Sequence, residues 1–114
     1  MRHLIVPLGQ RKGWLAGPWE SNLPVAIGYA SEGIDEPHLH PDITEIYLVA
    51  RGSSRLRVGR DTIRLGPGSI VVIESGEAHT FLDSSAEYMH FVVHVGLDAD
   101  RAGKLGVARS ELGL

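Results

Sequence analysis

The stretch Gly33-Ile34-Asp35-Glu36-Pro37-His38-Leu39-His40-Pro41-Asp42-Ile43-Thr44-Glu45 contains two histidines two residues apart and a glutamate five residues later. Residues i and i+2 of a β-strand project from the same face, roughly 6.5–7 Å apart. His38 and His40 therefore lie side by side if this segment is extended. Pro37 and Pro41 lack a backbone N–H donor, which suits a sheet edge near a turn. The stretch predicts a strand that directs two imidazoles toward one point.

Two further residues with metal-binding side chains follow along the chain. Glu45 stands at the start of the next strand candidate, and His79 opens a later one after a tight turn that Gly76 permits. Three neutral imidazoles and one carboxylate bind a divalent cation and leave coordination positions free if the metal is five- or six-coordinate. We predict one divalent ion (zinc, iron, nickel, manganese or copper) at a site formed by His38, His40, Glu45 and His79.

The rest of the chain is divided into short segments by 14 glycines and 6 prolines. Many of these segments are rich in β-branched residues or alternate between apolar and polar residues, and we expect strands near 25–29, 46–49, 55–58, 62–65, 69–73 and 88–95. Short strands separated by turns about every 8–12 residues are typical of an antiparallel sandwich or barrel. Only the tail 98–112 could be helical, with Asp98 or Asp100 as N-cap, although Gly103 and Gly106 disfavour a helix there.

Composition limits the class of protein. A chain of 114 residues forms one domain of ordinary size. Its net charge of −3 argues against general binding of nucleic acid, and the absence of cysteine excludes disulfides and thiolate metal sites. The apolar runs are too short to cross a bilayer, and the N-terminal segment becomes polar too early for a signal peptide. We expect a cytoplasmic protein with neither a membrane nor a nucleic-acid partner.

Residues 33–52 resemble the first cupin motif, which runs Gly, a short spacer, His-x-His, three or four residues, Glu, six residues and Gly. Residues 68–83 are similar to the second motif, with Glu74 in place of its proline and Asp83 in place of its asparagine. The resemblance implies an all-β cupin double-stranded β-helix (jelly-roll barrel), with at most a short C-terminal helix. It implies a single domain over 1–114, with an arm at 1–24, the barrel at about 25–95 and a tail at 96–114. It also implies the same four metal ligands.

Four other residues are candidates for the site. Tyr47 and Phe81 are each two residues from a predicted ligand, so strand parity places them on the same face, where we expect them to line a pocket. His90 and His94 share one face of the last strand candidate, opposite an apolar face with Met89 and Phe91. We favour the apolar face as core, with both histidines exposed or at a subunit interface. The alternative places them beside the metal, where His90, His94 and Tyr47 could transfer protons.

Three functions are compatible with such a site. The first is a metal-dependent enzyme, dioxygenase- or isomerase-like, that acts on a small oxygenated substrate. The alternative is a non-catalytic module that binds or senses a sugar or a small acid, and a third is a purely structural metal. The resemblance also implies a homodimer, in which Leu4-Ile5-Val6 could cover an open sheet edge. Trp14 and Trp19 are expected to anchor the N-terminal segment to the barrel or a second subunit, or to cover the site.

Overall fold

The structure is a computed structural model that describes residues 1–96, 99 and 103–114. Within these residues the strands are β1 (Lys12–Ala16), β2 (Val25–Ala30), β3 (His38–Leu39), β4 (Thr44–Arg51), β5 (Ser54–Val58), β6 (Asp61–Leu65), β7 (Ile70–Ile73), β8 (His79–Ser84), β9 (Met89–Val95) and β10 (Leu105–Gly106). One 3₁₀ helix follows at Arg109–Leu112. The predicted all-β fold is confirmed. No helix in the described part of the chain is long and apolar enough to cross a membrane.

The strands form two antiparallel five-stranded sheets. The first has the strand order β1-β2-β9-β4-β7 and the second has the order β10-β3-β8-β5-β6. A core of buried side chains lies between them, formed by Tyr47, Val49, Leu56, Leu65, Ile73, Phe81 and Tyr88. The predicted ligands come from both sheets: Glu45 lies on β4 of the first sheet, and His38 and His79 lie on β3 and β8 of the second. They face one another across the interior.

Strand β4 shows how the sequence pattern determines which side chains point inward. Its buried and half-buried positions alternate, with Glu45, Tyr47 and Val49 buried. A glutamate is rarely buried unless its charge is paired or hydrogen-bonded. The inward position of Glu45 is therefore a consequence of strand parity, and its partners must be found among the groups that face it.

Strand β9 contradicts the interpretation that the sequence favoured. His90 and His94 are only 4% and 5% exposed and face the interior, whereas Met89, Phe91 and Val93 are half-buried on the outer face of the sheet. The pairing partners explain this orientation, because Glu45 lies directly opposite His94 and Val49 directly opposite His90. Residues directly opposite each other in an antiparallel pair project from the same face. The expectation of exposed histidines was wrong.

Both ends of the chain also differ from expectation. The tail is not a continuous helix, since residues 103–108 are non-helical and include β10, and only Arg109–Leu112 forms a 3₁₀ helix. The expected N-caps Asp98 and Asp100 lie outside the described residues. At the other end, Leu4-Ile5-Val6 belongs to no strand, and β1 forms the edge of the first sheet beside β2.

Candidate metal centre

The structure brings all four predicted ligands together. His38 lies on β3 directly opposite His79 on β8, and their ring centroids are 4.4 Å apart. Nε2 of His79 lies 3.0 Å from Oε1 of Glu45, and Nε2 of His40 lies 3.4 Å from Oε2. Three imidazoles thus surround one carboxylate between the two sheets. His40, Glu45 and His79 are buried, and His38 is half-buried at the open side.

Backbone carbonyls fix the orientation of the three predicted histidine ligands. The Nδ1–H group of His38 donates to the carbonyl oxygen of Glu36 at 2.6 Å, and that of His40 donates to the carbonyl oxygen of Gly103 at 2.7 Å. The Nδ1–H group of His79 donates to the carbonyl oxygen of Glu77 at 2.9 Å. A carbonyl oxygen only accepts, so each of these Nδ1 atoms must carry a hydrogen. When the ring is neutral, Nε2 offers a lone pair to a metal; in the metal-free protein a protonated His40 or His79 ring can instead donate from Nε2–H to Glu45. A second hydrogen bond of this kind is what orients a metal-ligating histidine.

His94 is a fifth member of the cluster. Its Nε2 lies 2.6 Å from Oε2 of Glu45. Potential ligand atoms fall into two groups, His38–Glu45–His79 and His40–Glu45–His94, and within each group they lie within 4.8 Å of one another. The sequence offered one relevant feature: His90 and His94 are four residues apart, so they share one face of a strand. It could not show that β9 pairs with β4.

The electrostatics of the cluster centre on Glu45. Burial raises the pKa of its carboxyl group, but hydrogen bonds from His40, His79 and His94 outweigh this effect and hold the pKa far below its usual range. Burial lowers the pKa of His38. Burial also opposes protonation of His40, but its hydrogen bond and attraction to Glu45 raise the pKa overall. Glu45 is therefore a buried anion, and among the described residues its ion-pair partners are all histidines.

A cleft of about 470 Å³ opens above the cluster. Its inner wall is largely aromatic and includes both predicted pocket residues, Tyr47 and Phe81, together with Trp14, His90 and Val92. Charged side chains line it as well, including Lys12, Glu32, Glu36 and Lys104. Tyr47 also contacts the cluster, since its hydroxyl donates to Oε1 of Glu45 at 2.7 Å. Burial raises the pKa of this phenol well above its ordinary value.

His90 lies on the cleft wall and has different partners from the cluster histidines. Its Nδ1 lies 2.8 Å from the hydroxyl of Tyr88, and its ring stacks on Phe81 at 5.2 Å between centroids. Burial lowers the pKa of His90 to about 4. The ring is therefore neutral near pH 7, and the Tyr88 hydroxyl can donate to Nδ1, which leaves the hydrogen on Nε2. His90 thus supplies a neutral polar group to the cleft wall.

The donor set fits a divalent cation. Imidazole nitrogen and carboxylate oxygen are the ligands that zinc and other first-row divalent metals accept. The chain provides three oriented Nε2 lone pairs beside a buried anion that has no lysine or arginine partner among the described residues. A cation at this point would compensate the buried negative charge.

Comparison with known proteins identifies the family and the fold. The model of the cupin domain family (Cupin_2) matches residues 27–95. A structure from Klebsiella pneumoniae described as having a double-stranded β-helix domain is 18% identical, covers 95% of this chain and 84% of its own, and has a TM-score of 0.59. Among curated protein sequences, none matches the chain significantly.

Two similar structures have names that state an activity. The DMSP lyase DddQ of Ruegeria pomeroyi DSS-3 is 26% identical with a TM-score of 0.61, and the match covers 74% of this chain. It covers 43% of the lyase, so the chain spans less than half the length of that protein. The polyketide cyclase RemF of Streptomyces resistomycificus is 22% identical with a TM-score of 0.67, over 85% of this chain and 70% of the cyclase. With its family model matched over more than half of its length and its two sheets arranged as described, the chain belongs to the cupin domain family.

Proposed function

We propose that this protein is a metal-dependent enzyme that acts on a small oxygenated substrate. The observation that carries the proposal is the set of three Nε2 atoms freed by backbone hydrogen bonds, which surround a buried carboxylate below an open cleft. His38, His40, Glu45 and His79 would hold one divalent ion, and a bound ion supplies Lewis acidity or, if it is iron, oxygen activation. The lyase and the cyclase with similar folds support chemistry on small molecules.

The cleft restricts the substrate by size and polarity. A volume of about 470 Å³ accommodates a small molecule, and its aromatic walls favour an apolar body. Three neutral imidazoles and one carboxylate leave a net single positive charge on a divalent ion, which attracts an anionic oxygen. We therefore propose a small acid, enol or diketone whose oxygens point to the cluster and whose carbon skeleton contacts Phe81 and Val92.

Two residues are proposed to handle protons. The Tyr47 hydroxyl lies between the cleft and Glu45, 2.7 Å from Oε1. His90 is neutral, and among the described residues its hydrogen bond is to Tyr88 through Nδ1, so Nε2 is available to a bound molecule. Both side chains line the cleft. His94 was the third proton-transfer candidate, but its Nε2 is occupied by Glu45 at 2.6 Å.

The test begins with the metal content of the purified protein, followed by reconstitution with zinc, iron, nickel, manganese or copper. Each form is assayed for oxygen uptake with small diketones and phenolic acids, for isomerisation of small sugars, and for lyase activity on DMSP. We expect one metal per chain and turnover with one substrate class. His38→Ala should lose both metal and turnover while staying folded, and His3→Ala, which alters an exposed histidine, should lose neither.

Three outcomes would contradict the proposal. Failure of every reconstituted form to bind metal would remove the site. Stoichiometric metal with tight ligand binding but no turnover would favour the alternative, a module that binds or senses a small molecule. A purely structural metal predicts a third pattern, in which His38→Ala unfolds the protein at ordinary temperature.

We also propose that the protein is a homodimer that pairs through the outer face of the first sheet. Two rows of apolar side chains cross four strands there, Ile27–Val93–Ile46–Val72 and Tyr29–Phe91–Leu48–Ile70. Ile70 and Val72 are 64% and 53% exposed. Neither row contains a charged residue. Tyr29 is buried and five of the other side chains are half-buried, so the exposed part of this apolar face centres on β7. An apolar patch that is partly open to water is typical of an interaction site.

A second copy of the chain is the partner that fits this surface. The exposed side chains of Ile70 and Val72 and the half-buried apolar side chains beside them leave contact with water when the same face of a second copy covers them. A two-fold axis lets one apolar face meet the same face of the other copy. The absence of charge gives a charged partner nothing to recognise. This arrangement replaces the expected pairing through Leu4-Ile5-Val6.

A further inference from the structure

We infer that His94 is a positioning residue for Glu45 and not a fifth metal ligand: its Nε2–H donates to Oε2 and holds that oxygen in place. The inference deepens the proposed metal site and rests on it. His94 stands outside the four positions of the two cupin motifs, because it lies on β9, and its partner Glu45 lies directly opposite on β4.

The hydrogen bonds of the four histidines separate His94 from the other three. His38, His40 and His79 each donate Nδ1–H to a backbone carbonyl, which leaves Nε2 free to bind a metal. His94 has the reverse arrangement, since its Nδ1 is buried and has no hydrogen-bond partner among the described residues. A histidine that binds a metal almost always donates its other ring N–H to a neighbouring acceptor. The described part of the chain offers Nδ1 of His94 no such acceptor.

The tautomer of His94 follows from the number of buried ring nitrogens that each tautomer leaves without a suitable hydrogen-bond partner. With the hydrogen on Nδ1, a buried donor would lack an acceptor, and the Nε2 lone pair would face a carboxylate oxygen at 2.6 Å. With the hydrogen on Nε2, a charge-assisted hydrogen bond forms and only a lone pair on Nδ1 stays unmet. The second state has one defect in place of two. His94 is therefore a donor to Glu45.

This donor matters most when the other imidazoles bind a metal. Their Nε2 atoms then carry no hydrogen and cannot donate to Glu45. Among the residues that the structure describes, two donors remain for the carboxylate, the Tyr47 hydroxyl on Oε1 at 2.7 Å and His94 on Oε2 at 2.6 Å. Each oxygen thus keeps one donor. The His94 ring is itself held edge-on against Trp14, with 4.8 Å between centroids.

The first test measures tautomers directly and needs no metal. Long-range nitrogen–carbon NMR correlations in the metal-free protein at about pH 8 distinguish a hydrogen on Nδ1 from one on Nε2. We expect a hydrogen on Nε2 and none on Nδ1 for His94, and a hydrogen on Nδ1 for His38 and His79. An Nδ1–H form at His94 would overturn the inference, whatever the metal content of the wild type.

The second test measures metal binding in two variants. We expect His94→Phe to bind one cobalt(II) per chain with an unchanged visible spectrum but about 10–100-fold weaker affinity in a chelator competition. His94→Gln, whose amide can still donate, should recover most of the affinity. His79→Phe removes a proposed ligand and should lose metal binding. If His94→Phe also loses binding, or if its cobalt spectrum changes, His94 is a ligand. If the affinity of His94→Phe is unchanged, His94 has no role in the site. If the wild type itself binds no metal, the proposed function fails and the tautomer experiment still decides the role of His94.

Discussion

Burial of His90 makes the free energy of unfolding depend on pH. The pKa of His90 is lowered by burial from 6.5 to about 4 in the folded protein. An unfolded chain therefore takes up a proton between these two values that the folded chain does not, and stability rises with pH across this window. Stability from a neutral His90 is complete above about pH 7 and falls as the pH drops toward 4, below which both states are protonated.

The two pKa values give the size of this effect. Linkage between about pH 8 and about pH 5 predicts that His90 lowers the free energy of unfolding by about 2 kcal/mol. The side chain is 4% exposed, so little correction for solvent screening is needed. His90→Gln keeps an acceptor for the Tyr88 hydroxyl and removes the titrating group. Its loss of stability between the two pH values should be about 2 kcal/mol smaller than that of the wild type.

Urea unfolding followed by tryptophan fluorescence measures this difference, with the metal-free protein used throughout. His3→Gln serves as the control because it removes a histidine from an exposed position. Its pH dependence should follow that of the wild type. Parallel curves for His90→Gln and the wild type would refute the reasoning, because they would mean that His90 accepts a proton in the folded state as readily as in the unfolded chain.

Three further results are expected. Saturating metal should raise the melting temperature of the wild type by roughly 10 °C at a concentration about 100-fold above Kd, and chelator should reverse this, while His79→Ala should show no shift. Val72→Lys should convert the dimer to a monomer in analytical ultracentrifugation. The control Ile63→Lys, at a 39% exposed position of the second sheet, should leave the protein dimeric. A monomeric wild type at about 100 μM would contradict the proposed interface. Gly52→Ala should unfold at lower urea than Gly59→Ala, by about 1–3 kcal/mol, because both glycines have positive φ but only at Gly52 would a Cβ meet the Tyr88 backbone, at 2.5 Å; equal losses would show that the backbone relaxes.

The sequence was sufficient for most of the fold because strand periodicity and turn chemistry are local properties. Alternation in Arg55-Leu56-Arg57-Val58 predicted the buried Leu56, and Gly59-Arg60-Asp61 predicted the turn into β6. The tail was less predictable. Residues 103–108 adopt non-helical structure in which Leu105–Gly106 pairs with β3, and such a pairing depends on a strand more than sixty residues away.

The site was predictable to the extent that its residues are close in sequence. His38 and His40 share a face through their spacing alone, and the placement of Tyr47 on the same side as Glu45 follows from strand parity. The orientation of β9 did not follow in this way. Its apolar face resembles a core face, and the sequence shows neither that the outer side of this sheet carries apolar rows nor that Glu45 requires donors from a neighbouring strand.

Glu45 supplies the physical reason for the orientation of β9. If β9 were shifted by one residue relative to β4, His90 and His94 would turn outward and Met89, Phe91 and Val93 would turn inward. Glu45 would then lose its 2.6 Å hydrogen bond with His94 and face an apolar side chain, which is costly for a buried charge. The outward exposure of Phe91 and Val93 is a smaller loss and is removed if a second copy covers that face. The buried carboxylate and the apolar outer surface are therefore two consequences of one strand pairing.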